Sequence, residues 1–146
     1  MSREIKFRGK RIDNGEWVYG FYSKSTPVFE GVEHSYITPL CKNVSIDMSR
    51  KVVPETVGQH IGLHDKNGKE IYEGDMVKFA EWNTENMCWF GEIKYENCMY
   101  VITGGPNDEC STDFTIQLSR ITSERIEVIV NIHENHEPIK GGQPND

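Results

Sequence analysis

Apolar positions along the chain recur mostly at every second residue, the period of a half-buried strand. In IKFRGKRI, Ile5 and Phe7 alternate with Lys6, Arg8 and Lys10, and in EWVYGFYS the residues Trp17, Tyr19 and Phe21 share a face. The segment DNG lies between them, and Asn14-Gly15 marks a hairpin because both types tolerate positive φ. This pattern predicts a core face holding Trp17, Tyr19 and Phe21, and a separate basic face on the first strand.

A short strand is predicted near SYIT, between Pro27 and Pro39. The segment KNVSIDMSRKVVPETVGQHIGL holds the one predicted helical stretch, with Pro54 suited to a first turn. Gly58 and Gly62 limit it to one or two turns. Strands then follow closely: KEIY, MVKFAEW, WFGEIKYE and MYVITG across Asn97-Cys98, DFTIQLS, and IEVIVNIHE.

The expected fold is mainly β, an amino-terminal hairpin region plus a small SH3-like five-stranded barrel, with one short helical segment. Its expected divisions are a hairpin region over 1–53, a helical connector over 54–64, the barrel over 65–136 and a disordered tail over 137–146. The tail is too rich in Gly, Pro and polar residues to pack.

Charge changes this picture in one respect. The net charge is −7, yet Arg3, Lys6, Arg8, Lys10 and Arg11 stand against Glu4 in the first eleven residues. That end carries +4 and the rest of the chain −11. An acidic body repels phosphate backbones, so nucleic acid has a place only at the basic strand. Arg3, Lys6, Arg8, Lys10 and Arg11 are therefore the candidate nucleic-acid residues, or else the complement of the protein's own acidic surface. Trp17, Tyr19, Phe21, Trp82 and Trp89 are candidate interface residues, large aromatics being enriched where subunits meet.

Other chemistry has little support. In DKNGKEIYEGD an EF-hand reading fails, because Gly68 falls at position 4 and Met76 at position 12. Two turns, at Asn67-Gly68 and Gly74-Asp75, with Asp75 bonding the backbone ahead of it, explain the stretch. His60 and His64, with His133 and His136, are weak metal candidates, since no Glu follows His60 and the glycines oppose a rigid helix. No G-x-S-x-G occurs, and GGP at Gly104–Pro106 lacks the Lys of a phosphate loop. No catalytic residue and no cofactor is expected. Cys41, Cys88, Cys98 and Cys110 form no C-x-x-C pair, and without a secretory leader reduced thiols and a cytoplasmic location are expected. No stretch has the apolar length of a membrane helix.

Three blocks, REIKFRGKRIDNGEWVYGFY, VVPETVGQHIGLHDKNGKEIYEGDMVKF and IEVIVNIHEN, resemble the signature of the YopX family in order and across nearly the whole chain. That resemblance implies a small β-rich, self-associating protein of a phage or prophage, without established catalytic residues. His60 and His133 stand where that pattern has an aromatic such as Tyr, and Val130 where it has Gly. The expected function is a non-enzymatic accessory protein that forms a homo-oligomer and binds a partner macromolecule, with no membrane association. A nucleic-acid-binding module and a metal-dependent hydrolase are the alternatives.

Overall fold

The computed structural model describes residues 4–40, 48–80, 88–105 and 113–134. They form two antiparallel sheets. The first contains β1 (Phe7–Lys10), β2 (Trp17–Ser25), β3 (His34–Pro39), β4 (Arg50–Val52), β5 (Gly58–His64) and β6 (Glu70–Tyr72), in the order β4-β3-β2-β1-β5-β6. The second contains β7 (Asp75–Phe79), β8 (Trp89–Glu96), β9 (Met99–Gly104), β10 (Phe114–Gln117) and β11 (Ile126–Asn131), in the order β10-β9-β8-β7-β11.

The first sheet curls. Arg11 bridges to Val52, Ile12 N donates to Lys51 O at 3.1 Å and Val53 N to Lys10 O at 2.9 Å. The inside of the curl is narrow, and a Cβ on Gly9 would lie 3.1 Å from Ile37 Cδ1 and 3.2 Å from Val52 Cβ. Ile37 and Val52 are fully buried there. The inner side of β1 is thus Phe7 and Gly9, and Lys6, Arg8 and Lys10 point the other way.

The register carries this to β2. Arg8 pairs with Tyr19 and Lys10 with Trp17, so the aromatic stripe lies on the face of the basic stripe, outside the curl. Trp17, Tyr19 and Phe21 were predicted to be core; instead Trp17 is half-buried, Tyr19 is 45% exposed and Phe21 55% exposed.

The main core lies between the sheets. Ile61 and Ile71 from the first meet Val77, Phe79, Ile93, Ile102, Ile126 and Val128 from the second. Leu118 and Ile121, from the link between β10 and β11, complete it.

Three expectations change. The five-stranded sheet is open, with β10 and β11 at opposite edges, so the SH3-like barrel does not close. The expected helical connector over 54–64 is one 3-10 turn, Pro54–Thr56, followed by strand from Gly58. KEIY, expected within the barrel, is β6 and pairs with β5, so the first sheet continues to Tyr72. The expected disordered tail, 137–146, lies outside the described residues.

Candidate functional site

The second sheet docks against the basic strand through a charged and aromatic cluster. Arg8 Nη2 donates to Asp75 Oδ1, and the two side chains are 6% and 1% exposed. The same carboxylate accepts from Tyr72 N at 2.9 Å and Asn131 Nδ2 at 3.4 Å. The Arg8 guanidinium lies 4.8 Å from the Trp17 ring centre and 4.5 Å from that of Tyr72. An aromatic face attracts a cation more strongly where water is excluded.

The neighbouring basic residues are engaged too. Lys6 Nζ donates to Glu70 Oε1, and Tyr72 Oη donates to Glu70 Oε2 at 2.8 Å. Lys10 Nζ donates to His133 O at 2.7 Å and stands 5.6 Å from the Trp17 ring centre. Trp17 Nε1 donates to Glu134 Oε1 at 3.2 Å. Arg11 bonds Asp13 locally, Nε to Oδ1 at 2.9 Å. Arg3 lies outside the described residues. The first strand therefore presents no open row of cations to a phosphate backbone; Lys6 and Arg8 neutralise acids of their own chain.

The protonation states follow from these contacts. The hydrogen bond to Glu70 raises the Lys6 ammonium above its ordinary range, against the lowering effect of burial. Burial pushes the Glu70 carboxyl up, but the bonds from Lys6 and Tyr72 outweigh it and leave the group below its ordinary range. Burial and the Glu70 bond raise the Tyr72 phenol far enough that it stays a proton donor at any working pH. A protonated phenol, a paired carboxylate and paired cations bind and orient, and none of them is a free base.

Among the described candidates, His60 and His64 lie together and His133 lies apart from them. His60 N donates to Lys6 O at one end of β1, and Lys10 reaches His133 O at the other. His60 packs on Tyr72 with ring centres 5.2 Å apart, and His64 on His60 at 5.9 Å. Burial lowers the pKa of both His60 and His133, favouring neutral rings. His136 lies outside the described residues, and among those described no three His, Cys, Asp or Glu gather as metal ligands. Cys88 and Cys98 are free thiols.

The acids of DKNGKEIYEGD are structural. Asp65 accepts from the backbone N–H of Asn67 and Lys69 at 2.8 and 2.9 Å, and from Val128 at 2.9 Å. Burial raises the Asp65 carboxyl, yet these three donors win and hold it below its ordinary range. Lys66 N also donates to Ile126 O at 2.9 Å, so the turn at Asn67-Gly68 covers the outer edge of β11. Gly74 takes a φ of +81° at the second turn, and Asp75 bonds the backbone ahead of it as expected.

Several exposed apolar residues among those described lie on the β2–β3 hairpin. Besides Tyr19 and Phe21, its connecting turn exposes Val28 (92%), the whole of Phe29, and Val32. The turn is well formed, with Glu30 N and Gly31 N both donating to Pro27 O at 3.0 Å. Lys24 pairs with Glu33 at 2.8 Å and His34 with Glu30 at 2.6 Å, bracing its base. Of the other two candidate interface tryptophans, Trp89 packs against Phe114 at 5.4 Å beside the core and Trp82 lies outside the described residues. Sequence patterning missed Val28, Phe29 and Val32. The available signal was three large apolar residues in TPVFEGV, a turn segment bounded by Pro and Gly.

One family model, described as YopX protein, matches residues 6–140. No curated protein matches the chain. The cluster joins the blocks that carry the family resemblance: Lys6, Arg8 and Trp17 from the first, Glu70, Tyr72 and Asp75 from the second, Asn131 and His133 from the third.

Proposed function

Because the chain belongs to the YopX family, we propose that it is a non-enzymatic accessory protein of a phage or prophage that works by association. It assembles with itself in the host cytoplasm and holds a partner macromolecule, and the β2–β3 hairpin is the binding element. One observation carries this reading: Tyr19, Phe21, Val28, Phe29 and Val32 are exposed on a single braced hairpin. Large apolar side chains left exposed together on one formed element mark a candidate interaction site. The nucleic-acid alternative has less support, because Lys6 and Arg8 are paired within the chain.

Hydroxyl-radical footprinting tests the reading. Labelling of Tyr19, Phe21 and Phe29 is expected to fall as the protein is concentrated, while that of Tyr95, exposed on β8, stays constant. Equal labelling of the hairpin in dilute and concentrated samples contradicts self-assembly through this element.

A further inference from the structure

The sequence contains two Asn-Gly pairs, Asn14-Gly15 and Asn67-Gly68, and both stand in exposed turns. Such a pair is chemically labile, because a glycine nitrogen has no neighbouring side chain to shield it from the amide carbon of the preceding asparagine. The two turns hold that amide differently. Asn14 Nδ2 donates to Glu16 Oε2 at 2.7 Å and Asn14 Oδ1 accepts from Glu16 N at 3.0 Å, so this amide is fixed at both ends. The Asn67 amide makes no hydrogen bond among the described residues; its backbone N alone is engaged, donating to Asp65 Oδ1 at 2.8 Å. Gly15 N and Gly68 N donate to Arg11 O and Asp65 O, both at 3.0 Å, so the attacking nitrogens are held alike. Gly68 takes a φ of +81°, so the turn itself demands the residue that makes Asn67 labile.

Asn67 also occupies a sensitive place in the fold. Asp65 Oδ1 accepts from Asn67 N and Lys69 N, and Asp65 N donates to Lys69 O at 2.7 Å. The other oxygen of that carboxylate accepts from Val128 N at 2.9 Å. The bond between Asn67 and Gly68 thus lies inside a loop that Asp65 closes with Lys69, and this loop covers the outer edge of β11.

We propose that Asn67 is a self-modifying site, whose deamidation to isoaspartate uncovers β11. Gly68 N gives its proton to a base in solvent and bonds to Asn67 Cγ. The Cγ–Nδ2 bond breaks, and Nδ2 leaves as ammonia with a proton drawn from water. Water then adds to a carbonyl of the imide ring and breaks its bond to Gly68 N, with no oxidation or reduction at any step. Opening at Cγ gives aspartate; opening at the main-chain carbonyl gives isoaspartate, whose backbone runs through Cβ and Cγ and leaves a free carboxylate. The longer backbone parts Lys69 from Asp65, and the new negative charge stands close to the Asp65 carboxylate. Asp65 then releases Val128, and β11 becomes an open strand edge.

Peptide mapping of the full chain, aged at mildly alkaline pH, tests the site. The peptide holding Asn67 is expected to gain about 1 Da, the exchange of an amide for an acid. It should do so at least about fivefold faster than the peptide holding Asn14, the factor for one net hydrogen bond. Ageing in concentrated urea should bring the two rates together. Amide exchange tests the consequence: at Val128 it should quicken at least about tenfold in the isoaspartyl form, and aged Asn67→Gln should stay slow. Asn67→Asp, which has the charge without the longer backbone, should lie between them. Equal rates at the two pairs in the folded chain, no reaction at Asn67, or a preference undiminished in urea would overturn the site. Unchanged exchange at Val128 in the isoaspartyl form would overturn the uncovering of β11.

Discussion

Asp75→Asn removes one charge from the centre of the junction between the sheets. The Arg8 guanidinium would remain 6% exposed, with its opposite charge gone. Arg8 Nε already has no hydrogen-bond partner among the described residues, and the Trp17 and Tyr72 rings attract the cation without replacing the lost carboxylate. Breaking a buried ion pair from one side costs about 3–5 kcal/mol, because the surviving charge is left desolvated. The Asn keeps an oxygen for Tyr72 N, which places the expected loss near the lower bound, about 3 kcal/mol. With a urea slope of about 2 kcal/mol per molar, the unfolding midpoint falls by roughly 1.5 M. Arg8→Met/Asp75→Asn supplies the control, since it removes both charges while the Asn oxygen stays available to Tyr72 N. It should recover most of the lost midpoint. A loss below about 1 kcal/mol in Asp75→Asn, or a double variant weaker than the single, would refute the view that this pair sits dry at the junction.

Three further outcomes follow from the same contacts. His60 has its pKa lowered by burial, so the unfolded chain takes up its proton first and stability falls as pH drops below the ordinary value of 6.5. His60→Tyr should flatten urea midpoints between about pH 7 and 5.5, and an unchanged slope would show that other groups set the dependence. Asp65→Ala strips the acceptor from three backbone N–H groups, at an expected cost of about 2–3 kcal/mol. Amide exchange at Val128 should accelerate more than at Val77, and equal acceleration would contradict local opening of the β11 edge. Gly20→Ala places a Cβ 1.9 Å from Thr38 O and should cost about 2 kcal/mol or more by parting β2 from β3, read as a lower thermal midpoint. An unchanged midpoint would contradict that close approach.

Much of the strand content was legible because alternation reports two faces directly. Which face meets the core was not legible at β1 and β2. The curl brings β4 back to Arg11, and the inner face then has room for Gly9 beside Ile37 and Val52, with the aromatics outside. The basic stripe could not be read as a docking face, because its partners Glu70 and Asp75 lie 64 and 67 positions away. Pro54 marked a helical start correctly, but the strand after it is interrupted at Gly62, whose φ of +89° accompanies a register shift between His60 and His64. Barrel closure needs β10 beside β11, and 3-10 turns at Leu118–Arg120 and Ser123–Arg125 occupy that link instead. Val28, Phe29 and Val32 were missed for another reason: periodicity is silent about apolar residues confined to a turn.

The most direct measurement is sedimentation velocity of the unchanged protein from about 1 to 100 µM, at low and at high salt. Lys6 and Arg8 are paired within the chain and the hairpin exposes Tyr19, Phe21, Val28, Phe29 and Val32, so the mass should rise with concentration and persist at high salt. A monomer mass across that whole range would contradict the account, and assemblies that dissolve as salt rises would assign the contact to charges rather than to the hairpin.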